Sequence, residues 1–186
     1  MTIPYKQQVL PFLNDVAALP ASLQACNCIR IRNGQLTGFN TDWIGFEQTL
    51  LPLLQPHHRQ ALVLGNGGAS KAVLHVLQRL GIAYQVVSRQ LHEGSDITYE
   101  QLTPQVVAQH TLIVNTTPLG TYPNVEEQPP LPYQALTTQH LLYDLVYNPA
   151  TTRFMQQGRQ QGATVKNGYD MLVGQAEAAW QIWNEA

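Results

Sequence analysis

A glycine-rich hexapeptide, Gly65-Asn66-Gly67-Gly68-Ala69-Ser70, stands between the apolar run ALVLG (61–65) and a helical stripe. In that stripe Val73, Val76, Leu77 and Leu80 recur at i, i+3, i+4 and i+7, one buried helix face. Gly81 follows where a left-handed C-terminal cap belongs. A strand, a glycine turn and a helix in immediate succession form the opening unit of a dinucleotide-binding sheet. Gly65 permits the tight turn, and Gly67 lets backbone approach a pyrophosphate held at the helix N-terminus. The third position of the G-x-G-x-x-G pattern is Ser70, which is small but not glycine.

The rest of this region repeats the rhythm. AYQVVS (83–88), TLIVN (111–115), HLLYDLV (140–146) and ATVKN (163–167) are strand-sized and nearly continuous in apolar character. Strands covered on both faces read this way. A second helix is expected over about 150–161, stopped by Gly162. The pattern predicts an α/β fold with a parallel sheet and right-handed crossovers. At the end of the second strand stands Ser88-Arg89, where an NAD reader carries Asp or Glu for the ribose 2′-hydroxyl. A guanidinium and a hydroxyl suit a 2′-phosphate, so the expected cofactor is NADP. Asn115, Thr116 and Thr117 end a later strand, at the carboxyl edge where nucleotides bind.

Composition narrows the class. With 186 residues, 44% hydrophobic and a formal charge of -2, the chain can bury a core and carries no basic footprint for nucleic acid. No stretch reaches the roughly 20 apolar residues of a membrane span. The N-terminal residues lack the apolar core of a signal peptide. Two cysteines make no disulfide framework, and Cys26 and Cys28 read as reduced core residues of a cytoplasmic protein. No set of ligands has zinc spacing, so no metal is expected. His57 and His58 fall in a polar connection and are expected to be solvated. Residues 25–40 predict a hairpin turning at Asn33-Gly34. Thr41 is placed to cap a helix from Asp42 to about Leu51, and 169–184 predicts a C-terminal helix. Its apolar face is read as Leu172, Ala176, Ala179, Trp180 and Trp183.

Six blocks, in order, give the chain a family resemblance. TIPYK (2–6), GFNTDWIGF (38–46), LGNGGASKAV (64–73), VNTTPLGTYPN (114–124), DLVYNP (144–149) and NGYDMLVGQA (167–176) resemble shikimate dehydrogenase over essentially the whole sequence. The resemblance implies reversible reduction of 3-dehydroshikimate to shikimate by NADPH, in aromatic amino-acid biosynthesis. It implies a Rossmann-type NADP domain over 42–168. It also implies a truncated N-terminal α/β substrate domain, 1–41, on which the C-terminal helix, 169–186, packs back. Lys6 resembles the family's catalytic lysine and Asp42 its paired aspartate. Such a pair can supply a proton to a ketone oxygen while hydride reaches the carbon. Thr2, Asn27, Tyr147 and Gln175 match substrate contacts. Gly65, Asn66, Gly67, Gly68, Ala69, Ser88, Arg89, Asn115, Thr116 and Thr117 match the cofactor side, with Gly168 and Met171 near the nicotinamide.

The sequence departs from the family at its front. Members begin with about sixty more residues, a segment carrying a Ser-x-Ser motif for the substrate carboxylate. No such motif matches here, which leaves a misassigned start, a fragment or a natural short form. Missing neighbours expose strand edges and apolar faces, so either self-association through the N-terminal region or disorder before about Gly38 is expected. Two other functions stay open: a non-catalytic NADP(H)-binding module, and an enzyme acting on quinate as well as shikimate.

Overall fold

The computed structural model describes residues 5–91 and 93–185; Thr2 lies outside them. Six strands form one parallel sheet: β3 (Gln60–Leu64), β4 (Ala83–Ser88), β5 (Ile97–Thr98), β6 (Leu112–Asn115), β7 (Leu141–Asp144) and β8 (Thr164–Lys166). Their order is β5-β4-β3-β6-β7-β8, the Rossmann arrangement, with the direction of travel reversing between β3 and β6. A separate antiparallel pair, β1 (Cys28–Arg32) and β2 (Gln35–Phe39), precedes it. The helices are α1 (Asp42–Leu50), α2 (Gly68–Arg79), α3 (Pro104–Gln109), α4 (Arg153–Gln160) and α5 (Tyr169–Asn184).

Alternation along each sheet strand explains the two-sided core. Ala61, Val63, Leu112, Val114, Leu141 and Tyr143 face α1, α2 and Met171 of α5. Leu62, Leu64, Ile113 and Leu142 face the other way, onto Val107 of α3 and Phe154 and Met155 of α4. Both sets are fully or almost fully buried, which is why these strands read as continuous apolar runs. The predicted stripe of α2 is buried at Val73, Val76 and Leu77 and half-buried at Leu80. The two-residue β5 and the six-residue α3 had no readable period; Thr103 caps α3 by accepting from Val106 N at 3.3 Å. The helix expected from 150 starts only at Arg153, because Thr152 is extended and caps it.

The hairpin forms as predicted. Asn33 and Gly34 both have positive φ (48° and 76°), and Arg32 pairs with Gln35, the two-residue turn whose twist suits antiparallel strands. Residues 5–40 carry bonds and buried side chains of their own. Asn14 N and Asp15 N both donate to Leu36 O, Cys26 N donates to Lys6 O, and Leu23, Ala25 and Cys26 are buried.

Three expectations need correction. Thr41 is the N-cap of α1 but its side chain makes no capping bond. Its hydroxyl is occupied by Asn27 Nδ2 at 3.1 Å, and Asn40 Oδ1 accepts from Asp42 N (3.0 Å) and Trp43 N (3.4 Å) instead. His58 is buried, not solvated. Its Nδ1 accepts from Gln55 N at 2.9 Å, so Nε2 carries the proton and donates to Gln139 O at 3.1 Å. The buried face of α5 is Met171, Gly174, Ala178 and Ile182, whereas Trp180 and Trp183 on the expected face are 66% and 54% exposed. α5 turns this way where Gly45 of α1 comes close to its backbone at Met171 and Gln175. A Cβ on Gly45 would lie 2.5 Å from Met171 O and 2.9 Å from Gln175 N.

Gly45→Ala therefore forces the two helices apart. The expected cost is about 3 kcal/mol, or a Tm lower by roughly 10 °C. Gly174→Ala, whose Cβ meets Gln48 Oε1 at 3.2 Å and Gly45 Cα at 3.3 Å, should cost clearly less in the same melting experiment. His58 gives a pH signature. Burial pushes its pKa below the ordinary 6.5, so the unfolded chain binds the proton more readily. Its contribution is intact above about pH 6.5 and is lost as pH falls below it. Urea midpoints should decline from pH 7.5 to 5.5, and the slope should shrink in His58→Gln.

Candidate active site

The reversal between β3 and β6 opens a crevice at their carboxyl ends, as the topology of an open parallel sheet requires. A cavity of about 730 Å³ occupies it, within the usual size of a small-molecule site. Gly65, Asn66, Gly67, Ser88, Arg89, Thr116 and Thr117, all expected from sequence, line it. Gly65 has φ +100°, and a Cβ there would press on Thr117 Cγ2 (2.9 Å) and Thr116 Oγ1 (3.0 Å). A side chain at 65 would fill the crevice where the two strand ends meet. Gly67 and Gly68 have nothing within 4 Å of a built Cβ, so the mouth of the loop is open. Gly67 is the N-cap of α2 and no side chain caps that end. The first-turn N–H groups and the helix dipole thus face an open space suited to an anion.

The second-strand end supplies the charge. Arg89 is exposed beside the cavity, while the Ser88 hydroxyl is turned inward and donates to Gln90 O at 2.5 Å. Asn66 Nδ2 donates to Glu93 O at 3.1 Å, tying the glycine loop to the segment after β4. Gln90, Tyr99, Pro118 and Leu119 complete the lining without having been singled out from sequence. Only Tyr99 carries a chemical signal, which is structural. Burial pushes its phenol up to about 12, with Arg89 pulling the other way.

Gly68 and Asn115, also expected at this site, line neither cavity. Gly68 opens α2. Asn115 is fully buried; its Nδ2 donates to Asp144 Oδ1 at 2.9 Å, and its Oδ1 accepts from Thr117 N (3.0 Å) and Thr117 Oγ1 (2.6 Å). Asp144 is itself fully buried, and burial pushes its carboxyl up to about 6 against the donors that hold it.

A smaller cavity of about 180 Å³ lies beside the first turn of α2. Lys6, Asp42, Tyr147, Gly168, Met171 and Gln175 line it, so residues from well-separated parts of the sequence converge. Ala69, expected on the cofactor side, lines this cavity and not the larger one, which makes the first turn of α2 the wall between them. Lys6 Nζ meets Asp42 Oδ2 at 2.5 Å, with side chains only 16% and 8% exposed. The other oxygen, Asp42 Oδ1, accepts from Asn27 Nδ2 at 2.8 Å. Asn27 is itself held, since its Oδ1 accepts from Thr41 N at 2.8 Å. Asp42 sits in the first turn of α1, where the helix dipole favours a negative charge. The cavity therefore holds a fixed ammonium–carboxylate pair with the ammonium at its edge. Leu145 and Leu172, not foreseen, add apolar wall, and Leu145 O packs directly against Gly168. Among the described residues no cluster of His, Cys, Asp and Glu could hold a metal ion.

No family model matches the chain. Over 98% of its length it is 35% identical, across 202 residues, to the shikimate dehydrogenase (NADP(+)) of Chlorobium chlorochromatii, covering 70% of that protein. Two solved structures are similar over 98% of the chain. One is a chorismate mutase/shikimate 5-dehydrogenase fusion protein from Clostridium acetobutylicum, with 34% identity, TM-score 0.87 and 68% of that chain covered. The other is shikimate 5-dehydrogenase from Thermus thermophilus in complex with NADP(H) and shikimate, with 30% identity, TM-score 0.86 and 71% covered.

Proposed function

Because the chain belongs to the shikimate dehydrogenase family, we propose that it is an NADP-dependent oxidoreductase interconverting 3-dehydroshikimate and shikimate. The observation that carries this reading is the Lys6–Asp42 pair at 2.5 Å in a small cavity that also takes Ala69, the neighbour but one of Gly67 in the open dinucleotide cradle. The cradle fits the cofactor: a glycine turn without Cβ atoms, an uncapped helix N-terminus for the pyrophosphate, and Arg89 for the 2′-phosphate. Bound NADPH supplies the hydride. Lys6 does the rest of the chemistry at the ketone. One of its three N–H bonds is spent on Asp42, leaving two to engage the carbonyl oxygen. As charge grows on that oxygen, the ammonium stabilises it and passes it a proton, which Lys6 regains from solvent. Asp42 holds Lys6 in place, and Asn27 fixes Asp42. Tyr147 and Gln175 are in position to contact the substrate ring, with Gly168 and Met171 toward the nicotinamide.

The same reading divides the chain into the 42–168 NADP domain and a substrate-side part formed by 1–41 with 169–186. The separation of the hairpin from the six-stranded sheet supports it. Its compartment is the cytoplasm, consistent with two buried, unpaired thiols. Among the described residues no helix is long and apolar enough to cross a membrane. The chain is further proposed to form a homo-oligomer through its N-terminal region, where Phe12 and Ile31 are 73% and 68% exposed. Analytical ultracentrifugation should find a dimer or larger that Ile31→Glu with Phe12→Glu dissociates; a monomeric parent chain overturns this. A pure nucleotide-binding module would have no use for an ion pair held by three side chains, so catalysis is favoured. Arg89 in place of an acid counts against an NAD-using quinate enzyme.

The test is shikimate-dependent reduction of NADP⁺, followed by NADPH absorbance. Lys6→Ala should lower kcat by about 100- to 10,000-fold while NADPH binding persists. Arg89→Ala should raise KM for NADP⁺ by about tenfold or more and leave that for NAD⁺ little changed. A parent chain that binds NADPH without turning over shikimate would refute the enzymatic reading.

A further inference from the structure

Asp144 is the one fully buried carboxylate among the described residues, and the chemistry above makes no use of it. It ends β7 directly opposite Asn115, the end of β6. Its partners are all neutral donors: Asn115 Nδ2 at 2.9 Å and Val146 N at 3.1 Å on Oδ1, and Thr152 Oγ1 at 2.5 Å on Oδ2. Burying a charge without a counter-ion is costly, so a purely structural role would be served better by a neutral group.

What the carboxylate does that an amide cannot is accept from all three donors at once. Two of those bonds lead to different cavities. Asn115, its amide nitrogen held by Asp144, must present Oδ1 to Thr117 N and Thr117 Oγ1. Thr117 Oγ1 in turn accepts from Leu119 N at 3.3 Å, so the wall of the larger cavity is set through one amide orientation. Val146 lies between Leu145 and Tyr147, both in the wall of the smaller cavity. The third bond anchors the carboxylate to Thr152, the N-cap of α4.

We propose that Asp144 is a positioning residue that sets both cavities together, orienting the Thr117–Leu119 wall through Asn115 and the Leu145–Tyr147 wall through Val146. This extends the oxidoreductase reading, placing the two substrates' walls under one buried group so that the distance between them is fixed.

Amide hydrogen exchange, followed by NMR on the ligand-free chain, tests the coupling without relying on activity. Asp144→Ala should speed exchange at Thr117 and Val146 by at least about tenfold relative to Val63 and Ile113 in the strands. Asn115→Ala should speed exchange at Thr117 alone. The exchanged pair, Asp144→Asn with Asn115→Asp, lets the amide now on β7 donate to the carboxylate now on β6. It should restore protection at Thr117 but not at Val146. If Asp144→Ala does not fold, the last two variants decide. Unchanged exchange at Thr117 and Val146, or a uniform rise across the sheet, overturns the proposal. In turnover assays Asp144→Ala should raise KM for both NADP⁺ and shikimate, and Asn115→Ala only the first. A parent chain that fails to bind NADPH refutes the functional reading, while the exchange data still judge the coupling.

Discussion

Six parallel strands whose order reverses between β3 and β6 leave a gap at their carboxyl ends that no crossover covers. Everything chemical in the molecule is arranged around that gap. The backbone must leave β3 and enter α2 within a few residues, past the side chains of Thr116 and Thr117 arriving from β6. Only a residue without Cβ, with φ near +100°, can make that passage at Gly65. The turn then delivers the N-terminus of α2 to the crevice with no side chain capping it. Sterics at one residue and electrostatics at the next thus have a common origin in strand order.

The wall between the two cavities is the first turn of α2, with Gly67 on one side and Ala69 on the other. The side chains lining the smaller cavity are held by packing from outside the sheet. α1 carries Asp42 and α5 carries Met171 and Gln175, and the two helices touch at Gly45 and Gly174. Close backbone approach gives little freedom to slide, since interiors are close-packed. The position of Asp42, and through it of Lys6, therefore depends on helix contact as much as on hydrogen bonds.

The sheet was legible because its signals are local and redundant. Continuous apolar runs mark strands buried on both faces, and glycine marks the turn between β3 and α2. The Lys6–Asp42 meeting was legible only through resemblance, since 36 residues separate them and neither spacing nor charge pattern relates them. Where the reading failed, competition between partners decided. Thr41 is a good capping residue by type, but Asn27 claims its hydroxyl and Asn40 caps in its place. His58 sits in a polar stretch, yet the Gln55 amide and the Gln139 carbonyl, 81 residues away, satisfy both ring nitrogens and permit burial. Asn115 was placed in the cofactor cavity by its position at a strand end. Its amide is instead consumed by Asp144, whose burial leaves no trace in the sequence beyond the apolar run that precedes it.

The misread face of α5 has a different cause. A helix whose apolar residues occupy one stripe has one partner, and the wider apolar surface of α5 gives no unique stripe to choose. The small residues Gly174 and Ala178, with Met171 and Ile182, take the inner side because only they admit close contact with α1. The large residues are thereby driven outward. Trp183 finds a partial partner, donating its indole N–H to Ile29 O of β1 at 3.0 Å, while Trp180 stays the more exposed of the two. Hydrophobicity alone would have buried the tryptophans. The close approach of α1 and α5 at Gly45 and Gly174 leaves no room for a bulky side chain there. The outward face of α5 is thus a consequence of close helix contact on the inner one, and it leaves Trp180 exposed as Ile31 of the hairpin is.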